Sequence, residues 1–401
     1  MLYRYVVLGC GKQGTAAAYD LARFGNASSI LLADSNLDAA KSALQRIQKT
    51  IPKDSRKIKF QVEQLDAQDT TKLSRLLCGA NGVLSALPYY LNPPAAKASI
   101  KMKVDYCDLG GYLDSTREIL KMDKAAKQAG ITLIPDCGLA PGMCTSLAVC
   151  GMEHLDIAKE VKIYCGGLPQ TPRPPLGYKV VYNLEGLLGI YFGKAFVLRK
   201  GKVQQVSTFT EYEQIEFPHL GIVESFVTGG GTSTCPWTFE HQLQNYEYKT
   251  LRYPGHFEKM LLLKDLGFLE DKPIQVNGGK VVPRKLFMEL VGPRLAFPED
   301  RDLVALRVQI RGTKNTHPTE LTYDVLDYHD EQTGFSAMER TTGFSAAIVL
   351  SMVVHERIKP AGALPVEKCV PGRAFVEEIR KRGIKIQETI RNTASAVRRD
   401  S

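Results

Sequence analysis

From Tyr3 to about residue 135 the chain alternates short apolar runs with amphipathic stretches of helical period. The runs Tyr3–Leu8, Ile30–Asp34, Ile58–Val62, Gly82–Leu87, Val104–Leu109 and Thr132–Ile134 predict strands, and stretches such as Gly14–Phe24 and Ser115–Ala129 predict helices between them. Strands and helices alternating at this spacing imply right-handed crossovers, and so a parallel sheet covered by helices on both faces. After Pro135 the pattern changes. Gly and Pro become frequent, as over Gly166–Gly177, and longer strands such as Val304–Arg311 and Glu320–Tyr328 alternate apolar with polar positions. That alternation predicts antiparallel strands with one buried face. A strongly apolar helix is predicted over Gly343–Val354, and Lys/Arg/Glu-rich helices after it.

The expectation is an α/β protein with a doubly wound parallel sheet over 1–135 and an α+β domain with a mostly antiparallel sheet over 136–340. A helix over 341–360 returns to the first domain, since burying so apolar a run is worth about 1.5–3 kcal/mol per large side chain. A basic helical tail over 361–401 follows. At 401 residues the chain exceeds one ordinary core.

Charge and cysteine content narrow the function classes. The net charge is +9, but residues 357–401 hold 11 Lys/Arg against 5 Asp/Glu, so most of the excess lies in the tail. No nucleic-acid motif accompanies it, and nucleic acid is not expected as a partner. The longest apolar run, Ala346–Val354, is too short to span a membrane, and the N-terminus runs straight into a strand without a leader pattern. A cytoplasmic protein is expected. Nine scattered cysteines without a C-x-x-C pair argue against a disulfide framework and against a metal site.

The most informative motif is Gly9-Cys10-Gly11-Lys12-Gln13-Gly14, directly after a predicted strand and at the start of a predicted helix. Gly9 permits a tight turn, Gly11 lets backbone approach a pyrophosphate, and Gly14 lets helix and sheet pack closely, while the helix N-terminus offers free N–H donors to phosphate. Asp34 lies 20 residues past Gly14 at the end of the second strand, where a carboxylate accepts hydrogen bonds from the adenine ribose hydroxyls. Together these predict a Rossmann domain. A 2′-phosphate about 4 Å from Asp34 would cost on the order of 4 kcal/mol at an effective dielectric near 20. Ser35 and Asn36 follow with no Arg to receive a phosphate, so NAD is expected as the cofactor. Ser85, Ala86 and Leu87 after the fourth strand and Asp66 after the third are further candidate neighbours, because ligands of such sheets sit beyond the carboxyl ends of strands. Asp66 has the alternative role of capping the next helix.

Past the first domain the chain resembles the saccharopine reductase and lysine 6-dehydrogenase family. The resemblance is carried by Pro135-Asp136-Cys137-Gly138-Leu139-Ala140-Pro141-Gly142-Met143, by Cys165-Gly166-Gly167-Leu168-Pro169 with Pro175-Leu176-Gly177-Tyr178-Lys179, by Leu251-Arg252-Tyr253-Pro254-Gly255-His256 and by Arg340-Thr341-Thr342-Gly343, and it extends to about Gly383. It implies a Rossmann domain, a second domain for substrate and dimerisation, and a NAD(P)-linked reaction at the ε-nitrogen of lysine, free or as saccharopine. A homodimer and a small amino-acid substrate are the expected partners.

Read without the family, Gly166 and Gly167 mark a place where backbone comes close to a ligand or to a neighbouring strand. Lys179 and Arg252 are candidates for a substrate carboxylate, with a surface ion pair as the alternative. Glu185 stands where saccharopine reductases carry an Arg, and Phe192 matches a second Arg. Saccharopine has three carboxylates and lysine one, so these losses favour lysine, and Glu185 would attract its ammonium. Oxidative deamination needs a proton acceptor beside the nicotinamide. His256, Glu185 and Asp136 are the candidates; His256 has the alternative of packing at a helix start and Glu185 that of a solvent-facing helix residue, while Asp123 has a helical surface context. The expected activity is that of a NAD-dependent L-lysine 6-dehydrogenase. A saccharopine dehydrogenase and a non-catalytic NAD-binding protein of the same fold are the alternatives.

Overall fold

The computed structural model describes residues 1–52, 57–181, 184–359 and 361–392. The first part runs β1 (Tyr3–Leu8), α1 (Lys12–Phe24), β2 (Ala27–Asp34), α2 (Leu37–Thr50), β3 (Lys59–Gln64), α3 (Thr70–Leu77), β4 (Gly82–Ser85), α4 (Asn92–Met102), β5 (Asp105–Asp108), α5 (Leu113–Leu120), α6 (Asp123–Ala129) and β6 (Thr132–Ile134). The helix expected over Ser115–Ala129 is thus two, parted at Lys121 and Met122. The second part runs α7 (Cys144–His154), β7 (Ile157–Pro169), α8 (Leu184–Gly189), β8 (Lys194–Arg199), β9 (Lys202–Ser207), β10 (Glu213–Phe217), β11 (Gly221–Val227), α9 (Cys235–Thr238), β12 (Asn245–Arg252), α10 (His256–Asp265), β13 (Ile274–Val276), β14 (Gly279–Val281), α11 (Pro283–Val291), β15 (Asp302–Lys314) and β16 (His317–Tyr328). The chain ends with α12 (Ala337–Glu339), α13 (Ser345–Val354), β17 (Gly362–Ala363), α14 (Val366–Cys369), α15 (Gly372–Lys381) and β18 (Ile386–Asn392).

The first sheet is parallel throughout, in the order β17-β6-β5-β4-β1-β2-β3. The order reverses between β1 and β4, which opens a crevice at their carboxyl ends. Helix α1 carries Ala16, Ala17 and Ala18 fully buried against this sheet, and such small side chains allow the close approach that its N-terminal Gly14 also requires. Asn36 caps α2 by accepting from the N–H groups of Asp38 and Ala39. Asp69 caps α3 in the same way, and Asp66 instead accepts from Gln68 N–H in the turn before it.

The second sheet has the order β10-β11-β12-β7-β15-β16-β18, with β8 and β9 branching from β12. Only β12 and β7 pair in parallel. The long hairpin of β15 and β16 supplies its centre, with Val304, Leu306, Val308 and Ile310 turned inward at every second position.

Helix α13 is buried along its whole length and lies on the first sheet. Leu350 and Val354 reach over Gly82 of β4, and the Cys107 thiol donates to the Ala346 carbonyl. The preceding turn brings Gly343 onto α1 so tightly that a Cβ there would lie 2.8 Å from the Ala16 methyl and from the Gln13 carbonyl. Apart from its C-terminal edge strand β18, the second sheet is therefore inserted between two parts of the first domain.

The basic helical tail expected over 361–401 is corrected. Strand β17 joins the edge of the first sheet beside β6, α15 packs on α7 through Gly372, and β18 completes the edge of the second sheet. Residues 393–401 lie outside the described residues. The Lys/Arg/Glu pattern was read as a solvated helix, but its charges are used in pairing. Arg382 is almost fully buried and holds the carboxylate of Asp20 in α1 through two bonds of 2.7 and 2.9 Å, and Glu378 receives Arg357, Lys381 and Arg382. Among the described residues no helix is long and apolar enough to cross a membrane.

Removing one member of a buried ion pair leaves the other charge unpaired, at a cost of about 3–5 kcal/mol. Arg382→Met should lower stability by this amount in chemical unfolding, and adding Asp20→Leu should restore part of it. A loss below about 1 kcal/mol for the single variant would show that the pair does not hold the tail to α1.

Candidate functional site

The glycine loop sits at the carboxyl end of β1, against the loop that follows β4. Gly9 adopts φ +85°, and a Cβ there would lie 2.6 Å from the Ala86 carbonyl oxygen. A Cβ on Gly14 would collide with the Gly9 carbonyl. Around Gly11 the same construction meets no atom within 4 Å, so backbone alone faces open space at this position. The first turn of α1 has no capping side chain and no acid, and Lys12 is exposed at its start. The Gln13 side-chain oxygen is buried without a hydrogen-bond partner among the described residues. An uncapped helix N-terminus, an open glycine and an unused polar group fit a dinucleotide phosphate.

Asp34 is held in the crevice by two backbone donors. Its Oδ2 accepts from Cys10 N–H at 2.7 Å and its Oδ1 from Asn36 N–H at 2.8 Å. A carboxylate has about four acceptor sites, so capacity remains for two ribose hydroxyls. Ala86 and Leu87 are half-buried beside the glycine loop. Ser85 is corrected as a cofactor contact, because its hydroxyl is fully buried and donates to Asn92 Oδ1 at 2.8 Å. Asp66 is exposed past β3, on the same edge of the sheet.

A second polar cluster occupies the ends of β5 and β6, where the chain crosses into the second domain. Asp136 is buried, with backbone φ +65°. The Thr116 hydroxyl lies 3.0 Å from both of its carboxyl oxygens, and the Ser233 hydroxyl of the second domain donates to Oδ2. Asp108 lies beside it and accepts from Asp136 N–H at 3.0 Å, Gly110 N–H at 2.8 Å and the Tyr106 hydroxyl at 2.9 Å. Burial pushes Asp136 up to about 7, helped by the neighbouring Asp108 charge. Burial likewise raises Asp108 to about 6, against the pull of its hydrogen bonds. Asp136 lines a recess of about 190 Å³ with Thr145, Ser233, Thr234 and Glu367, and Asp108 lines one of about 140 Å³ with Tyr89, Asn92 and Tyr112. Thr116 belongs to both. Neither recess has room for a water-sized group, so both are closed around their side chains in this conformation.

The remaining candidates lie in the second domain. Gly166 and Gly167 are corrected. They sit within β7, where a Cβ on Gly166 would lie 2.6 Å from the Leu251 carbonyl and one on Gly167 would collide with Met338, so close strand packing and not a ligand requires them. Lys179 is buried and donates to the carbonyls of Phe297 at 2.7 Å and Asp300 at 2.6 Å. Its affinity for a proton is lowered by burial and by the charge of Lys12.

Arg252, Tyr191 and His256 form one buried chain. Arg252 Nε donates to the Tyr191 oxygen at 2.9 Å, its Nη1 donates to the Leu251 carbonyl at 2.7 Å, and its guanidinium lies 4.9 Å from the Tyr178 ring centre. His256 meets the Tyr191 hydroxyl at 3.0 Å and the Leu176 carbonyl at 3.1 Å. The carbonyl can only accept, so Nδ1 carries the proton and Nε2 accepts from Tyr191. Burial and the Arg252 charge lower His256 to about 3. The expectation of a proton carrier is corrected: with both nitrogens bonded and its cation excluded, His256 fixes the start of α10 against the Leu176 loop.

Glu185 is exposed in the first turn of α8, and among the described residues no hydrogen bond or ion pair reaches its carboxylate. Phe192 carries the Arg284 guanidinium at 4.2 Å, which is itself tied to Asp271. Asp123 lies at the start of α6, where it pairs with Lys127 and accepts from Ala363 N–H of β17. Asp108, Thr116 and Ser233 were not singled out from the sequence. Asp108 follows the rule that pointed to Asp34, an acid at the carboxyl end of a parallel strand, but the two hydroxyls carry no sequence signal.

Two family models match nearly the whole chain, the saccharopine dehydrogenase NADP binding domain over residues 5–134 and the saccharopine dehydrogenase C-terminal domain over residues 138–384. The saccharopine dehydrogenase [NADP(+), L-glutamate-forming] of Pyricularia oryzae is 29% identical over 52% of this chain and 48% of its own length. The carboxyaminopropylagmatine dehydrogenase of Synechocystis is 21% identical over 96% of this chain and 98% of its own. The chain spans about half the length of the saccharopine dehydrogenases first among its curated relatives. The apo saccharopine dehydrogenase (L-Glu forming) structure of Saccharomyces cerevisiae shares the fold with a TM-score of 0.78 at 21% identity, covering 97% of this chain and all of the other. This chain belongs to the saccharopine dehydrogenase family, with a nicotinamide-dinucleotide-binding Rossmann domain wrapped around an inserted second sheet.

Proposed function

We propose that this chain uses NAD to oxidise the ε-amine of L-lysine to the semialdehyde. The observation that carries the reading is a shortage of cations for additional carboxylates. Lys179 spends two of its three donors on backbone carbonyls, and Arg252 is committed to Tyr191 and the Leu251 carbonyl. The family Arg positions are Glu185 and Phe192, and the exposed Glu185 carboxylate has no ion-pair partner among the described residues. A surface with this balance suits a substrate with one carboxylate and a distant ammonium. The names of the relatives favour a second reading, oxidation of the secondary amine of saccharopine.

The glycine loop, the α1 N-terminus and Asp34 would hold the dinucleotide, which supplies the hydride acceptor when bound. NAD is the expected form, because Asp34 would repel a 2′-phosphate and neither Ser35 nor Asn36 answers it with a cation. Asp136 is the proton acceptor in this reading. It holds its proton below pH about 7 and is ionised above, so lysine turnover rises with pH through that range. A homodimer is part of the proposal, supported by exposed Leu262, Leu266 and Leu290 on the second domain. Sedimentation as a monomer at micromolar concentration would remove it.

Substrate and cofactor choice are read by NADH formation. Lysine with NAD should give turnover that NADP does not match, whereas turnover only with saccharopine establishes the second reading. Glu185→Arg should reduce kcat/KM for lysine about tenfold or more, since one tenfold is about 1.4 kcal/mol of charge interaction. Wild-type kinetics in that variant would refute a role for Glu185.

Asp34→Ala should weaken NAD binding by about 1.5–3 kcal/mol, the range for hydrogen bonds to a charged acceptor, and narrow the preference over NADP. NADH fluorescence titration measures both. An unchanged affinity would place the ribose elsewhere.

The raised Asp136 also predicts the pH dependence of stability. A carboxyl raised in the folded protein adds stability that is complete below its unfolded value and is lost as pH rises through about 7. Asp136→Asn should therefore gain in melting temperature relative to wild type as pH rises from about 4 to about 7. Parallel curves across that window would show that Asp136 does not titrate there.

A further inference from the structure

We propose that Asp108 is a positioning residue for Asp136, fixing its backbone and setting the pH at which its carboxyl releases a proton. The inference rests on the role given above to Asp136 and extends it to a residue outside that reaction scheme.

The geometry starts with the backbone. The φ of +65° at Asp136 is a conformation that most side chains avoid, although Asp adopts it more readily than most. Asp108 Oδ1 holds it there by accepting from Asp136 N–H and Gly110 N–H together. Two neighbouring glycines leave the room this needs. A Cβ on Gly110 would collide with Asp136 Oδ1, and one on Gly142 would lie 3.0 Å from the Asp136 carbonyl.

The partners of the two carboxyls then divide the charge between them. Asp108 receives two backbone N–H groups, which can only donate and so favour its ionised form, and a tyrosine hydroxyl. Among the described residues the side chain of Asp136 meets only the hydroxyls of Thr116 and Ser233, which can donate or accept and so serve either state. Two buried carboxyls this close do not both ionise readily. The charge rests first on Asp108, and the proton stays on Asp136. The other charged groups packed around Asp136 leave this order in place. Glu367 of α14 adds negative charge and is itself satisfied by the Thr234 and Thr238 hydroxyls, while Arg117 of α5 is turned onto the Trp237 ring at 4.1 Å. The raised proton affinities of both acids agree with this order.

Asp108→Asn removes the charge and keeps an oxygen for the two N–H groups. Carbon-detected NMR of aspartate carboxyls in the ligand-free protein should show Asp136 titrating about one unit or more lower than in wild type. The acid limb of kcat/KM against pH should move the same way, which a merely structural residue would not cause. An Asp136 titration that stays in place overturns the proposal. If it moves while the limb does not, Asp108 sets the proton affinity of Asp136 and the reaction uses another base. Should the variant fail to fold, the wild-type titration decides: two linked steps above the ordinary carboxylate range support the pair, and independent steps near the usual value of about 3.9 refute it.

Discussion

A parallel sheet gathers all its strand ends of one polarity on a single edge, and the candidate chemistry of this protein depends on that constraint. Loops leaving the carboxyl ends carry backbone N–H groups that the ladder no longer satisfies. Two acids answer them. Asp34 ends β2 and takes the N–H groups of Cys10 and Asn36, and Asp108 ends β5 and takes those of Gly110 and Asp136, while Asp136, after β6, meets side-chain hydroxyls. The same hydrogen bonds that shape the loops therefore concentrate negative charge along one edge. One strand from the reversal of strand order Asp34 is half-buried, and on the other side of the reversal, past β6, burial raises the proton affinity of Asp136.

The second domain completes the edge. Because it is inserted, the chain crosses between the sheets at Asp136 and returns before α13, and the segments at these crossings become walls of the recesses. Ser233 reaches Asp136 from the second domain, and Glu367 binds the neighbouring Thr234 and Thr238. The Asp20–Arg382 pair and the contact of Arg46 with Glu339 at 3.0 Å join the return segments to α1 and α2. These interactions lie away from the recesses, yet they decide whether the hydroxyl of one domain meets the carboxyl of the other.

The distribution of cations gives the second domain its character. Arg252 and Lys179 look like anion receptors in the sequence, but inside the fold they act as struts, one on tyrosine and one on carbonyl oxygens. Arg284 supplies a guanidinium against Phe192 and is held by Asp271. Positive charge used for packing is not available to a substrate with several carboxylates.

Local pattern was enough for most of the first domain, though not for its edge strand β17. The six strands, the glycine loop and Asp34 depend on neighbours within one strand–helix–strand unit, where spacing and residue type constrain the backbone directly. The apolar run before Val354 likewise announced its own burial, since no exposed helix is apolar all round. Distant partners decided the rest. Gly166 and Gly167 read as a ligand loop until β12 and Met338 were seen to occupy the space, and His256 read as a base until Tyr191 and Leu176 claimed both nitrogens. The tail read as a solvated helix because charge pattern does not reveal that Asp20, more than 350 residues earlier, awaits Arg382. Asp136 gained its proton affinity only when Asp108, Thr116 and Ser233 came together around it. The composition of a segment governs what it can form locally, whereas the dielectric, charge and hydrogen-bond partners of a buried group are set by residues that only folding brings near.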